Sequence, residues 1–252
     1  MRRKHLADLL SSLTRQTGSL GFEVIVVQDG PIEDLSSLEI EFSDINVKVL
    51  SLPEKRGRAS ARNLGIAHSH GEILIFLDDD MTVNEGFVQA HLSAHKDNRT
   101  VAIGNVVAPP EYATHPLARY IERQGAKKLK RVEDLPPKCF RTGNASVGRA
   151  LVEEAGLFDE SLTHYGEDMD MAVKLFNCGA RFVFVQHAIS YHHHPPELED
   201  MIEKMREYGY YTVPVLASRH PYLRKTLKID LADPLKFVRE SPILTLRKIA
   251  LR

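Results

Sequence analysis

Leu6, Leu9, Leu10 and Leu13 fall at i, i+3, i+4 and i+7, which predicts an amphipathic helix at the start of the chain. Residues 22–27 are a β-branched apolar run closed by Gln28-Asp29-Gly30-Pro31, a strand followed by a turn. Residues 47–52 read as a second short strand, and a basic, Gly-containing loop leads from it to a helix over about 59–68 that stops at Gly71. The five apolar residues 73–77 then predict a strand buried on both faces, followed by a helix over about 84–95 and a strand over 101–108 that Pro109-Pro110 breaks. This alternation predicts an α/β fold with a parallel sheet and crossover helices.

The second half is less regular. A helix around 117–124 leads to Lys127-Lys128-Leu129-Lys130-Arg131, which with Pro136-Pro137 reads as a mobile loop. It is either a solvated charged segment or a lid whose cations meet a substrate phosphate. Met169, Ala172, Val173 and Phe176 share one face of a helix over 167–177, and Gly179 supplies its stop. Residues 181–185 form a strand, and an extended piece continues to Tyr191-His192-His193-His194. A long helix rich in Tyr and Met spans 197 to about 218. The tail, 227–252, mixes Leu, Ile, Phe and Val with Lys and Arg, as expected of amphipathic helices on a membrane surface or over the core.

The candidate chemistry sits where the strands end. Asp78-Asp79-Asp80 follow the 73–77 strand directly, and Asp29 ends the 22–27 strand. In an open parallel sheet, ligands bind just beyond the carboxyl ends of the strands. Three adjacent acids repel one another; a hard divalent cation relieves that repulsion, and a diphosphate can share it. A solvated acidic turn is the bland alternative. Glu167 and Asp168 stand at a helix N-terminus, where the macrodipole favours ionised carboxylates, and one of them can be a simple cap. Three consecutive histidines at a strand end offer a metal ligand, and alternation puts His192 and His194 on one side.

Composition narrows the classes. The chain has 252 residues, 43% of them apolar, enough for a full core, and its net charge of −1 gives no global field for nucleic acid. No apolar run is long enough to span a bilayer, and no hydrophobic signal core follows the basic start. Two isolated cysteines form no metal or redox spacing, which fits a cytoplasmic location.

Phe22-Glu23-Val24-Ile25-Val26-Val27, then Asp29-Gly30, Arg56-Gly57, Ala61-Arg62-Asn63 and Leu77-Asp78-Asp79-Asp80, resemble the family 2 glycosyltransferases. Gly143-Asn144-Ala145-Ser146, Phe158-Asp159-Glu160 and Gly166-Glu167-Asp168 are similar to that family's acceptor side. The resemblance covers about residues 4–195. It implies a GT-A (Rossmann-like) fold: a mostly parallel sheet flanked by helices, with a nucleotide-binding half over about 1–108 and an acceptor half over about 109–195. Residues 196–252 would be a helical C-terminal extension. It implies a metal-dependent, inverting transfer of a sugar from a nucleoside-diphosphate sugar, a UDP-sugar by preference, to a hydroxyl of a glycan or glycolipid.

Asp29, Arg62, Asp78 and Asp79 take the positions of nucleotide-sugar contacts in this resemblance. Asp80 takes that of the ligand to Mg²⁺ or Mn²⁺, with His192 or His194 added to the metal shell. Asp168 matches the catalytic base, and Asn144 and Glu167 lie on the acceptor side. The location implied is cytoplasmic, with peripheral membrane contact through the tail. The family normally has a strand before the first helix, and this sequence opens directly at that helix: either the true start lies upstream, or the chain is a fragment, or the protein manages without the strand. Its absence implies two open strand edges, marginal stability and weak nucleotide binding. Two other readings remain: a nucleotidyltransferase acting on a sugar phosphate, and a non-catalytic nucleotide-sugar-binding relic.

Overall fold

The computed structural model describes residues 2–16, 21–31, 33–123, 126–129, 132–163, 165–193, 197–221 and 223. His194 and the tail expected to meet a membrane lie outside the described residues.

The first half alternates as its pattern predicts. Helix α1 (Arg2–Thr14) is followed by β1 (Glu23–Gln28), α2 (Ser37–Glu41), β2 (Asn46–Ser51), α3 (Arg58–His68) and β3 (Ile73–Leu77). A three-residue strand, β4 (Met81–Val83), follows the acids, then α4 (Phe87–Ala94) and β5 (Thr100–Val107). The leucine stripe of α1 is buried as its spacing requires, with Leu6, Leu9, Leu10 and Leu13 all in one cluster with Val83, Phe87 and Val88. Polar contacts fix the helix along β4: Val83 N donates to Ser12 Oγ at 3.1 Å, and Gln16 Nε2 donates to Asn84 O at 2.9 Å.

The second half contains α5 (Pro116–Glu122), α6 (Ala126–Leu129), β6 (Asn144–Gly148), α7 (Arg149–Glu154), α8 (Glu167–Asn177) and β7 (Arg181–His192). The two extended pieces expected at 181–185 and up to 191 are one strand, irregular where Gly104 and Asn105 pair across it. The long helix expected after 197 is α9 (Leu198–Glu207) and α10 (Val213–Arg219), separated by a π-helical turn (Tyr208–Thr212).

The strands form two sheets. β1 and β2 pair in parallel as a two-stranded sheet, and the other five are ordered β3-β6-β5-β7-β4. Within the larger sheet only β5 and β7 are parallel; β3–β6, β5–β6 and β4–β7 are antiparallel. The expected mostly parallel sheet is therefore a mixed one. The reason is topological: β6 enters from the long 108–143 segment rather than through a single crossover helix, and it runs against both neighbours. Among the described residues no ladder joins β1 to β3. Among the described residues β1 pairs with β2 alone and β3 with β6 alone, so each has one edge without a ladder. Their side chains meet in the α1 cluster, where Val24 and Val26 of β1 and Ile75 and Leu77 of β3 are partly buried. A second cluster fills the other face of the large sheet with Val101, Ile103, Phe140, Val147, Leu151, Met171, Leu175 and Phe182.

The segment read as a loop or lid is tied down where it is described. Lys127 Nζ donates to Val106 O at 2.9 Å and pairs with Glu122, Ala126 is buried in the core, and Leu135 N donates to Phe182 O at 2.9 Å.

Candidate active site

The acids at the end of β3 face the loop that opens β6, because Leu77 pairs with Asn144 in the antiparallel ladder. Asp78 therefore lies over Gly143. A Cβ at residue 143 would stand 2.7 Å from Asp78 Oδ2, so only glycine leaves the carboxylate its place. One residue earlier, Thr142 turns to α8: its Oγ1 donates to Asp168 Oδ1 at 2.8 Å and its N donates to Asp168 Oδ2 at 3.3 Å. The ends of β3, the start of β6 and the start of α8 thus meet at one point.

Arg62, on α3, supplies the cation there. Its Nη1 donates to Glu167 Oε1 at 2.7 Å and lies 3.5 Å from Asp168 Oδ1. Burial pushes the Asp78 carboxyl above the usual carboxylate range; Asp80 and Asp168 push it the same way, while Arg62 and Arg58 pull it down. Besides its neighbour Asp80, the charges acting on Asp78 come from two segments distant in sequence, α3 and the start of α8, as expected of one shared site. Glu167 is 2% exposed, and the Arg62 pair fills its role inside the protein.

Two of the motifs prove to be each other's partners. Asn63 Nδ2 donates to Phe158 O at 2.9 Å, and Phe158 N donates back to Asn63 Oδ1 at 3.0 Å. Ser60 Oγ and Asn63 Nδ2 donate to Glu160, at 2.8 and 3.0 Å, and hold its carboxyl below the usual range. The guanidinium of Arg58 stacks over the Tyr165 ring with 5.0 Å to its centroid. Thus α3 and the 157–168 loop are locked together, and the acid pair at 167–168 follows from that lock.

Asp29, at the end of β1, accepts from Arg56 N at 2.6 Å and from Gly57 N at 2.9 Å. It holds the basic loop against the carboxyl end of β1. A cleft of about 680 Å³ opens at the ends of β1 and β2 beside it, lined by Gln28, Glu33, Asp34, Ser36, Glu39 and Ser51 among others. Its three carboxylates are ill suited to a diphosphate, and neither the 78–80 acids nor Asp168 lines it.

The metal reading depends on Asp80. Its Oδ1 is buried without a hydrogen-bond partner, and its Oδ2 lies 3.5 Å from His192 Nε2. An orphaned carboxylate oxygen beside an imidazole is a donor set that fits a divalent cation. Among the described residues no group of three or more His, Cys, Asp or Glu donors gathers. His193, between His192 and His194, is turned to Thr82 Oγ1 at 2.8 Å and Glu111 Oε1 at 3.3 Å. Asp79 is exposed.

Asn144 stands apart from the other acceptor-side candidates. It is 2% exposed, its Nδ2 donates to Ala188 O and Ser190 Oγ, and its Oδ1 meets His91 Nε2 at 2.8 Å. The described geometry makes it a bridge inside the large sheet, buried with Ser146, His91 and His95 rather than opening on the site. Thr142, Arg58 and Tyr208 were not singled out from the sequence. The first two gain their roles only through tertiary pairing.

Residues 1–156 match the family model described as Glycosyl transferase family 2. The chain is 32% identical over 217 residues to the pre-mycofactocin glycosyltransferase of Mycobacterium tuberculosis, an alignment covering 84% of this chain and 46% of that protein. Among solved structures it resembles S. aureus TarS, with a TM-score of 0.61 at 21% identity over 81% of this chain and 37% of that one. It also resembles GalNAc-T7 crystallised with UDP, GalNAc and Mn²⁺, with a TM-score of 0.59 at 17% identity over 86% of this chain and 50% of that one. The chain thus spans half or less of the length of each of these proteins. The structural likenesses bear out the GT-A-like fold expected from the motifs, and the family model, which matches more than half of the chain, shows that the chain belongs to glycosyl transferase family 2.

Proposed function

We propose that this chain transfers a sugar, with inversion, from a UDP-sugar to a hydroxyl of a glycan or glycolipid, with Asp168 as the base. The observation that carries the proposal is the meeting of Asp78 and Asp168 around Arg62, from the end of β3 and the start of α8. A TarS structure holds UDP-GlcNAc and the GalNAc-T7 structure holds UDP with Mn²⁺, which supports a UDP-sugar donor and a divalent metal.

The carboxylate of Asp168 is oriented for proton abstraction. Oδ1 is fixed by Thr142 Oγ1 and faces Arg62, whereas Oδ2 carries one long backbone bond. Oδ2 is the oxygen that takes the acceptor proton as the acceptor oxygen attacks the anomeric carbon. Attack from the base's side, with the diphosphate leaving on the other, inverts that carbon. Asp78 and Asp79 belong to the donor side, as does Asp29, which orders the Arg56-Gly57 loop. Asp80 and His192 would hold Mg²⁺ or Mn²⁺, which supplies Lewis-acid stabilisation of the leaving diphosphate. Arg62 pairs with Glu167 and Asp168 and holds them in place at the helix N-terminus.

Calorimetric titration with UDP and GDP, each with and without Mn²⁺, followed by a hydrolysis screen across common UDP- and GDP-sugars, tests this. Metal-dependent UDP binding with slow UDP-sugar hydrolysis is the expected result. UDP binding without turnover of any donor favours the non-catalytic reading. Turnover of a free nucleoside triphosphate with a sugar phosphate favours the nucleotidyltransferase.

A further inference from the structure

The π-helical turn at Tyr208–Thr212 interrupts what the sequence reads as one helix. Such turns are rare, and they tend to mark functional positions. This one is held against the approach to the acid pair from both of its ends. Thr212 Oγ1 donates to Tyr165 O, and a Cβ at Gly166 would overlap Thr212 Cγ2, so the turn touches the residue directly before Glu167. Gly166 has φ +101°, a conformation that suits glycine and lets the chain enter α8 under the turn. Beyond the turn, Leu216 is fully buried with Leu162, Met169 and Val173. At the end of α10, Arg219 pairs with Asp159, and His220 Nε2 lies 2.8 Å from Asp170 Oδ1. The C-terminal helices are therefore fastened on both flanks of the 159–170 segment.

Tyr208 opens the turn, four residues before Thr212. Its ring packs against the Leu162–Met169–Leu216 cluster. Met169 of that cluster and Gly166 under the turn flank Glu167 and Asp168, so Tyr208 stands beside the start of α8, within the electrostatic reach of Arg141, Asp168 and Glu167. Burial pushes the phenol up, Arg141 pulls it down, and the two carboxylates push it further up, so it keeps its proton at neutral pH. Thr142 and Arg62 are the hydrogen-bond and ion-pair partners of Asp168. The phenol is an additional wall, a neutral group able both to donate and to accept.

We propose that Tyr208 is an acceptor-positioning residue, whose hydroxyl binds the incoming acceptor beside Asp168 and whose ring keeps bulk water from competing for the donor. The inference rests on the glycosyl-transfer reading above and adds the residue that favours a sugar hydroxyl over water. In the step itself the acceptor O–C bond forms and the C–O bond to the diphosphate breaks. The electron pair leaves with the diphosphate, the acceptor proton goes to Asp168, and Tyr208 keeps its own proton.

Tyr208→Phe and Tyr208→Ala, compared with the wild-type chain, test it. UDP affinity is read by calorimetry, and UDP-GlcNAc consumption is followed with water alone and with p-nitrophenyl β-D-glucoside as probe acceptor. Tyr208→Ala is expected to raise water capture about tenfold while UDP affinity stays within about twofold. Tyr208→Phe keeps the wall and is expected to raise KM for the probe about tenfold at near-constant kcat, the loss of one hydrogen bond. Unchanged water capture in Tyr208→Ala overturns the inference, and so does UDP affinity that falls in parallel with turnover in either variant. If the wild-type chain binds UDP but consumes no sugar from the donor screen, the transfer reading fails, and the role of Tyr208 with it.

Discussion

The two sheets differ in what holds them. All six residues of β1 are half-buried, and among the described residues β2 is its single ladder partner. In the five-stranded sheet, β5 and β6 each lie between two others, and Asn144 through Val147 are buried without a break. The functional side chains follow this division. Asp29, at the end of the small sheet, is placed by side-chain-to-loop hydrogen bonds, whereas Asp78 is placed by a backbone ladder that fixes its neighbour opposite Asn144. The contrast teaches that the donor-side acids are split between the two: Asp78 rests on the more fully laddered sheet and Asp29 on the looser one.

The sharpest way to separate the two is functional. Asp168→Asn is expected to lower UDP-sugar turnover about 10²–10⁴-fold while UDP affinity, by calorimetry, stays within about threefold. Gly104→Ala tests the rigidity of the large sheet, since its Cβ would overlap the buried Asn144 carboxamide. We expect a loss of about 3 kcal/mol in urea unfolding.

Acid should also act on that sheet first. Burial lowers the pKa of His91 to about 4. Between pH 6.5 and 4 the unfolded chain takes up a proton that folded His91 refuses. The stabilisation is thus present above pH 6.5 and lost as pH falls towards 4, by roughly 3 kcal/mol in all. Urea midpoints at pH 7 and 4.5 check this, and His91→Leu is expected to flatten the dependence.

On the small-sheet side the effects should be milder. Asp29→Asn is expected to cost about 1 kcal/mol and to weaken UDP binding about tenfold, because the Arg56-Gly57 loop loses its anion. Gly65→Ala should gain up to about 1 kcal/mol in thermal unfolding, since its Cβ would meet Val27 Cγ2 at 3.4 Å on a helix that favours alanine. A large loss there would erase the distinction between the sheets.

What the sequence disclosed follows from which forces are local. The helix over 167–177 matches α8 at both ends because Met169, Ala172 and Val173 of its stripe and Gly179 act within the segment, although Phe176, placed on the same stripe, is exposed. β4 escaped notice because three residues after an acid cluster carry no period. β6 escaped because Asn144-Ala145-Ser146-Val147-Gly148 lacks β-branched bulk; its polar side chains are satisfied by His91 and His95 from another element. The π turn is invisible to periodicity, since it arises where Thr212 meets Tyr165 and Gly166. In the site, Asp78 and Asp168 were singled out by residue type and motif. The partners that orient them, Thr142 and Arg58, were not, because nothing in their sequence neighbourhood distinguishes them.

Glu23 begins β1, and its carboxylate accepts from the N–H groups of His70 and Gly71, just ahead of β3. Beyond that tie, the boundary between β1 and β3 is made of side chains of the α1 cluster. The separation of Asp29 from Asp78 is consequently a soft coordinate, set by methyl groups sliding past one another rather than by peptide bonds in register. A ligand that grips both carboxylates at once would set that distance for itself, at the cost of ordering the seam.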